Sequence, residues 1–204
     1  MTAVRWLVMV SAAAALGGCA LTSKGDTLDP HFFTPEPALV PRASSAAAKA
    51  SGPLRLGRVR GAVSIKEKII YRESLYEVGY YEERRWTEKP EVYLRRALAQ
   101  ALFEEGGWVE TASGPTLEAE LFAFEEVRGA KPFVRVGVTV VLRDDDTASI
   151  ERTLIVEEPI VAAAGDTAPT ALVRAFSLAL TKTVAKTVDE AARGTTSRTA
   201  ATPK

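Results

Sequence analysis

The chain has 204 residues, of which 47% are hydrophobic, and its 26 basic residues balance 26 acidic ones. This length allows one domain with a sizeable core, and the absence of net charge excludes an electrostatic case for binding nucleic acid. A single cysteine excludes an intramolecular disulfide, and a single histidine excludes a metal site built from several histidines.

The first 18 residues have the layout of a signal peptide. Arg5 supplies a positive charge, and residues 6–18 are apolar or small. This run is shorter than the roughly 20 residues that a bilayer-spanning helix needs, and polar residues follow it closely. We therefore expect residues 1–18 to direct export and to be removed from the mature protein.

The only cysteine, Cys19, directly follows Leu16-Gly17-Gly18. These four residues resemble the lipobox of bacterial lipoproteins, which implies a diacylglyceryl thioether on Cys19 and acylation of the new amino terminus. An ordinary signal peptide with an incidental cysteine is the alternative. Each buried methylene contributes about 0.8 kcal/mol, so two or more chains such as palmitate would anchor the protein stably. By resemblance to lipoprotein sorting in Gram-negative bacteria, Ala20 in place of aspartate implies the periplasmic face of the outer membrane.

Residues 19–52 predict a flexible tether after the anchor. They contain several prolines and an alanine-rich run at 43–50, and they show no sustained period of two or 3.6. A flexible coil of this length spans about 30 Å, and a fully extended one spans roughly 110 Å. The only histidine, His31, lies in the tether, so a nucleophilic triad would have no base on a rigid element.

Residues 53–193 are expected to form one periplasmic domain that begins with short strands. Residues 54–63 predict a strand interrupted by two glycines, and residues 68–72 and 76–84 predict a hairpin. Residues 108–110 predict a further short strand.

Three longer strands at 116–127, 132–143 and 149–158 are joined by turn residues and predict an antiparallel meander. The middle strand has an unbroken apolar face that belongs to the core. That face consists of Val134, Val136, Val138, Val140 and Leu142.

Two amphipathic helices complete the predicted domain. The first follows Pro90, spans 91–105 and ends at a glycine pair, and the second spans about 169–193. The second helix has an apolar stripe of Leu172, Phe176, Leu180, Val184 and Val188. The predicted fold class is therefore α+β, a mainly antiparallel sheet with two amphipathic helices packed on one face. Residues 194–204 are polar, and we expect a disordered tail there.

The residue inventory gives little support for catalysis. Acidic clusters at 82–83, 144–146 and 157–158 leave a carboxylate-based hydrolase open, but each lies at a strand end or turn, where solvated charges are usual. The glycines of the domain lack the spacing and the lysine of a nucleotide-binding loop. We therefore expect a non-enzymatic protein without a cofactor or metal.

Residues 68–102 hold six aromatic rings among arginines and glutamates. Such rings suit a surface that a partner half-buries, although a strand edge packed against its own aromatic residues is a slightly favoured interpretation. The candidate partner- or lipid-binding residues in this segment are Tyr76, Tyr80, Tyr81 and Trp86, and the other two rings are Tyr71 and Tyr93.

The order of these patterns resembles the auxiliary lipoprotein family of ABC-type transporters. The resemblance rests on the strand Ile70-Tyr71-Arg72, a tyrosine-rich strand ending in Arg85-Trp86, and the helical Leu-Arg-Arg-Ala-Leu at 94–98. An aromatic-proline motif at 31–37 and the terminal helix extend it over nearly the whole mature chain. It implies an outer-membrane lipoprotein that works with a mammalian-cell-entry-type periplasmic protein, a permease and an ATPase in lipid transport.

The face of the meander opposite the core is expected to carry Phe122, Phe124, Val141 and Ile155 between polar residues. An open antiparallel face is usually less apolar, so something should cover it. The candidates are the Phe32-Phe33 segment or another copy of the chain, which we favour, and a transporter partner or a lipid chain. Phe122 and Phe124 are therefore further candidate binding residues.

These patterns together favour a docking role. The chain would couple an envelope transporter to the outer membrane, and ATP hydrolysis would occur on another polypeptide. A lipoprotein that activates or scaffolds other cell-envelope machinery fits the tether and the missing catalytic groups equally well. A periplasmic hydrolase is a third and weaker hypothesis.

Overall fold

The computed structural model describes residues 28–36, 52–144 and 147–201, without the side chains of 149 and 197–201. The predicted signal peptide, Cys19 and the alanine-rich run lie outside these residues. The strands are β1 (His31–Phe33), β2 (Gly52–Gly61), β3 (Lys68–Arg72), β4 (Val78–Trp86), β5 (Trp108–Glu110), β6 (Thr116–Val127), β7 (Phe133–Asp144) and β8 (Thr147–Pro159). The helices are α1 (Pro90–Ala99), which continues as a π-helix (Gln100–Glu105), and α2 (Ala168–Ala201).

Strand β6 is the centre of the sheet. One of its edges pairs antiparallel with β7, which pairs antiparallel with β8. Its other edge is shared by two parallel strands, β2 along the first half and β3 along the second half. Strand β5 lies beyond β2, while β4 and then β1 lie beyond β3. The predicted meander and hairpin are confirmed, and so is the α+β class.

Both helices pack on one face of the sheet, as predicted. The predicted apolar face of β7 and the stripe of α2 are buried, each residue being at most 3% exposed. At the centre, the rings of Phe124 and Phe176 stack with centroids 4.6 Å apart, and Trp86 meets both edge-on at 5.3 and 5.0 Å. The chain leaves the π-helix through Gly107, whose φ of 78° favours glycine.

Helix α2 continues past the predicted end of the domain. It extends to Ala201, so the prediction of a disordered tail is wrong for 194–201, while 202–204 lie outside the described residues. Gly194 lies against the sheet, because a Cβ there would come within 2.6 Å of Leu142 Cδ2 and 2.7 Å of Ile150 Cδ1. The hydroxyl of Thr196 donates to the carbonyl of Ala192 at 2.9 Å. Polar composition is thus compatible with a helix here, because such hydroxyls bond within it.

The predicted tether also contains a strand. Residues His31–Phe33 form β1, which pairs in parallel with β4, and the backbone N–H of Thr87 donates to the carbonyl of Phe33 at 3.0 Å. A three-residue edge strand has no period that could be recognised in the sequence. The prediction of a wholly flexible 19–52 is therefore wrong at β1. The two glycines of β2 also do not interrupt it, although its register with β6 shifts between Leu56 and Val59.

Candidate functional site

The sheet face opposite the helices, called the outer face here, carries a groove of about 390 Å³. In the groove, Arg60 Nη2 lies 2.8 Å from Glu120 Oε2, and Arg143 Nε lies 3.2 Å from Glu118 Oε2. Three arginines and three glutamates line it, so its charge is balanced. The lining residues are Arg58, Arg60, Glu118, Ala119, Glu120, Thr139, Val141, Arg143 and Glu151.

An apolar patch adjoins this groove on the outer face. Phe122 and Ile155 are 36% and 51% exposed. The ring of Phe122 lies over Gly137, where a Cβ would come within 2.5 Å of two ring atoms. The glycine therefore makes room for the ring, and the ring covers backbone that a side chain would otherwise cover. Among the described residues, none covers Phe122 and Ile155 completely, so both side chains stay accessible to a partner.

A β-bulge removes Phe124 from this face. The register between β6 and β7 shifts between Leu121 and Ala123. Leu121 faces the helices before the shift, and Phe124 faces them after it, where it is 1% exposed. The prediction that Phe124 is a surface residue is wrong, because strict alternation does not allow for an inserted residue.

A buried carboxylate lies at the other end of the outer face. Glu125 accepts two hydrogen bonds from Arg72, at 3.0 and 2.9 Å, and lies 3.5 Å from Arg135. Arg135 in turn reaches Glu157 at 2.9 Å. The hydrogen bonds that Arg72 donates to Glu125 raise the pKa of Arg72 above its ordinary value. This network has the geometry of a structural ion pair, since each charge has an opposite partner.

Two tyrosines of the aromatic segment 68–102 contact each other on the helix side of the sheet. The rings of Tyr71 and Tyr81 lie edge to face with centroids 5.1 Å apart. The Tyr81 hydroxyl donates to Glu126 Oε2 at 2.6 Å. Burial and this hydrogen bond raise the pKa of Tyr81 above its ordinary value. The slightly favoured interpretation, aromatic residues packed within their own strand edge, describes this pair.

Arg128 joins the tyrosine pair, and sequence analysis did not single it out. Its guanidinium carbon lies 3.5 Å from the ring centroid of Tyr71 and 4.9 Å from that of Tyr81, and it forms an ion pair with Glu73. Burial opposes its charge, but interactions with Tyr81 and Glu73 outweigh this and raise the pKa of Arg128. The sequence feature that could have identified Arg128 is its place directly after Val127, the apolar last residue of β6.

The other predicted aromatic residues do not form one surface. Tyr80 is half-buried and donates to the carbonyl of Ser64 at 3.0 Å. Trp86 and Tyr93 are buried, so the prediction of Trp86 as a surface contact is corrected. Its place at the end of β4 brings it under α2, which local pattern does not reveal. Tyr76 is 94% exposed and stands in the turn between β3 and β4.

Three connections between elements lie at one end of the sheet, called the turn end here. A row of paired residues crosses four strands at this end and consists of Arg72, Val127, Phe133 and Pro159. The connections that leave this row are residues 73–77, 128–132 and 160–167. They display Leu75 and Val161 besides Tyr76, and Leu75 is 81% exposed. Sequence analysis missed Leu75, although an apolar pair in a tight turn is a usable signal.

Neither a metal site nor a spanning helix is found in the described ranges. Residues 28–36, 52–144 and 147–201 bring together no group of three or more histidine, cysteine, aspartate or glutamate side chains suited to a metal ion. No helix in that part of the chain combines the length and apolar character needed to cross a bilayer.

The geometry defines an α+β domain that displays charged and apolar side chains on an open sheet face and at the turn end. Residues 37–188 match the family model of the ABC-type transport auxiliary lipoprotein component. The chain therefore belongs to this family, and the predicted resemblance is confirmed.

Comparison with solved structures supports the same fold. XCC0632 of Xanthomonas campestris, a DUF330 protein, superposes with a TM-score of 0.73 at 20% identity, covering 83% of this chain and 99% of its own. A second solved structure, that of an uncharacterized protein, superposes with a TM-score of 0.53 at 13% identity, covering 83% of this chain and 98% of its own. No curated protein matches the chain.

Proposed function

We propose that this chain is the lipid-anchored periplasmic auxiliary component of an ABC-type lipid transport system, docking the transporter to the outer membrane. The family match over residues 37–188 carries the proposal. The lipobox-like residues before Cys19 supply the anchor, and Ala20 supports the outer membrane as its location. A permease, an ATPase and a mammalian-cell-entry-type protein are the partners, and they carry out hydrolysis and translocation.

The outer face is the surface that we assign to a protein subunit of this transporter. Its groove presents arginines and glutamates in equal number, which suits a protein surface with charges of both signs better than a polyanion. The adjoining Phe122 and Ile155 offer apolar area that such a partner would bury. Charge pairs at the rim would set the orientation, and the apolar patch would supply most of the affinity.

Affinity capture from membranes tests the docking role. The native chain should be acylated at Cys19 by mass spectrometry and should bring down the permease, the ATPase and the cell-entry-type protein. The variant Cys19→Ala should be lost from the membrane fraction. The double variant Phe122→Ser, Ile155→Ser should stay anchored and folded but lose most of the captured transporter.

The matched control is Val109→Ser, since Val109 is also an exposed apolar strand residue but lies on β5. This variant should capture the transporter as the native chain does. An unacylated Cys19 in the native protein would contradict the anchor. Capture of a cell-wall synthase in place of a permease and ATPase would favour the envelope scaffold instead. Unaided substrate turnover, lost on replacing an acidic pair, would favour a hydrolase.

A further inference from the structure

The direction of β1 determines from which side the anchor approaches the domain. Strand β1 runs parallel to β4, with His31 opposite Arg84 and Phe33 opposite Trp86. Strand β4 begins at Val78, directly after the turn that carries Leu75 and Tyr76. The chain therefore enters β1 from the turn end of the sheet. The anchor segment, defined as residues 19–30, leads into β1 at His31, which lies opposite Arg84.

The length of the anchor segment limits how far the domain stands from its lipid. Twelve residues separate Cys19 from His31, so this connection spans at most roughly 40 Å. The position of His31 lies at most about 20 Å along β4 from Val78, because Arg84 follows Val78 by six residues and β4 is irregular between Tyr80 and Arg85. A wholly flexible tether would have allowed roughly 110 Å. The docked β1 thus keeps the turn end within reach of the membrane that holds the lipid on Cys19.

The turn end displays apolar side chains on a well-supported backbone. The N–H groups of Tyr76 and Glu77 donate to Ser74 Oγ at 3.3 and 3.2 Å, and Arg72 Nη1 donates to the carbonyl of Leu75 at 3.3 Å. These bonds satisfy three backbone groups of the turn, which lowers the cost of bringing the side chains of Leu75 and Tyr76 into an apolar phase. Residues 161–164, Val-Ala-Ala-Ala, are also exposed at this end of the sheet, in the connection that follows β8.

Charge at the turn end does not favour attraction to anionic lipid. The three connections carry Arg128 and Lys131 against Glu73, Glu77 and Asp166. Arg128 is already paired with Glu73, and Asp166 is paired with Arg174 of α2. A contact with a membrane would therefore depend on apolar insertion, for which leucine and valine are suited, and on tyrosine, which favours the membrane interface.

We propose that the turn end rests on the bilayer that holds the acylated Cys19, with Leu75, Tyr76 and Val161 inserted into its interface. This inference rests on the lipid anchor of the proposed function. The short anchor segment keeps the turn end within reach of the membrane, and the insertion holds the domain in one orientation. The outer face then stands along the membrane normal, where a periplasmic partner can reach it.

Fluorescence quenching in vesicles tests this orientation. The lipidated mature chain with Ala162→Cys carries a fluorophore at position 162, since the thioether occupies the only other cysteine. It is reconstituted in phosphatidylethanolamine and phosphatidylglycerol vesicles whose lipids carry bromine on their acyl chains. We expect quenching at position 162 and several-fold less at position 109 in a Val109→Cys control. Val109 is 65% exposed and lies at the opposite end of the sheet.

A variant of the turn and a change of lipid test whether the quenching depends on the apolar side chains or on anionic lipid. Adding Leu75→Ser and Tyr76→Ser should weaken quenching at position 162, and replacing phosphatidylglycerol by phosphatidylcholine should leave it unchanged. A sample that floats with the vesicles but is quenched equally at 162 and 109 overturns the inference alone, and the turn would then serve a protein partner. Quenching that requires anionic lipid also overturns the apolar contact. A chain that does not float overturns the anchor, and with it both proposals.

Discussion

At the scale of single residues, neighbours in the sequence have opposite environments. Phe122 lies on the outer face and Phe124 stacks with Phe176 in the core, because one bulge residue separates the two alternations. Glu125 and Glu126 likewise point to opposite faces, one to Arg72 and the other to Tyr81. The role of each side chain therefore depends on the register of β6 and not on its residue type.

The two phenylalanines should respond very differently to truncation. Phe124→Ala leaves a cavity among packed rings and should lower the free energy of unfolding by roughly 3–5 kcal/mol. Phe122→Ala removes a partly exposed ring and should lower it by about 1 kcal/mol or less. Urea unfolding followed by circular dichroism measures both. Equal losses for the two variants would contradict the bulge.

Tyr81 should make the protein sensitive to alkaline pH. Burial and the hydrogen bond to Glu126 hold its pKa above the ordinary value of 10.0, so the folded chain retains the proton longer than the unfolded chain. The resulting stabilisation is complete below about pH 10 and is lost as the pH rises through the folded-state pKa. We expect the free energy of unfolding to fall as the pH rises above about 10, and to fall less in Tyr81→Phe. Parallel slopes for the two proteins in urea unfolding would refute this.

At the scale of elements, periodic segments behave as their sequence predicts and short or polar ones do not. The meander and the apolar stripe of α2 repeat their pattern over many residues, and both are found where expected. Strand β1 and the last two turns of α2 have no such pattern. They take their structure from the edge of β4 and from the contact of Gly194 with Leu142 and Ile150.

Removal of residues 194–204 tests the last turns of α2. If these residues formed a disordered tail, the deletion would leave stability unchanged. The structure instead predicts a loss of roughly 1–2 kcal/mol, because Leu142 and Ile150 would gain contact with water. The control deletes only residues 202–204 and should leave the urea midpoint at its native value. An unchanged urea midpoint for the longer deletion would show that these residues form a disordered tail.

At the scale of the whole molecule, the docked β1 divides the N-terminal chain into two connections with different roles. Residues 19–30 join the proposed anchor to the domain, and residues 34–51 join β1 to β2. Only the first sets how far the turn end stands from the membrane. The second can change in length without affecting this distance, because β1 and β2 both belong to the same sheet.

Insertions in the two connections should therefore have different effects. About 20 glycine and serine residues inserted between Cys19 and Leu28 should lower the effective concentration of the turn end at the membrane roughly four- to five-fold. The same insert between Pro37 and Ser51 should not. Quenching of the probe at position 162 measures both, while urea unfolding checks that both proteins fold. A similar loss in both variants would mean that β1 does not hold the anchor segment.

The sequence by itself determined the α+β class, the meander, the two amphipathic helices and the family of this protein. Local repeats of apolar residues and the order of short motifs predict those features. Neither kind of pattern depends on contacts between distant residues. Only the tertiary structure decided the parallel pairing around β6, the burial of Phe124 and Trp86, the docking of β1 and the full length of α2. Each of these depends on contacts between residues far apart in the chain, so no local period carries them.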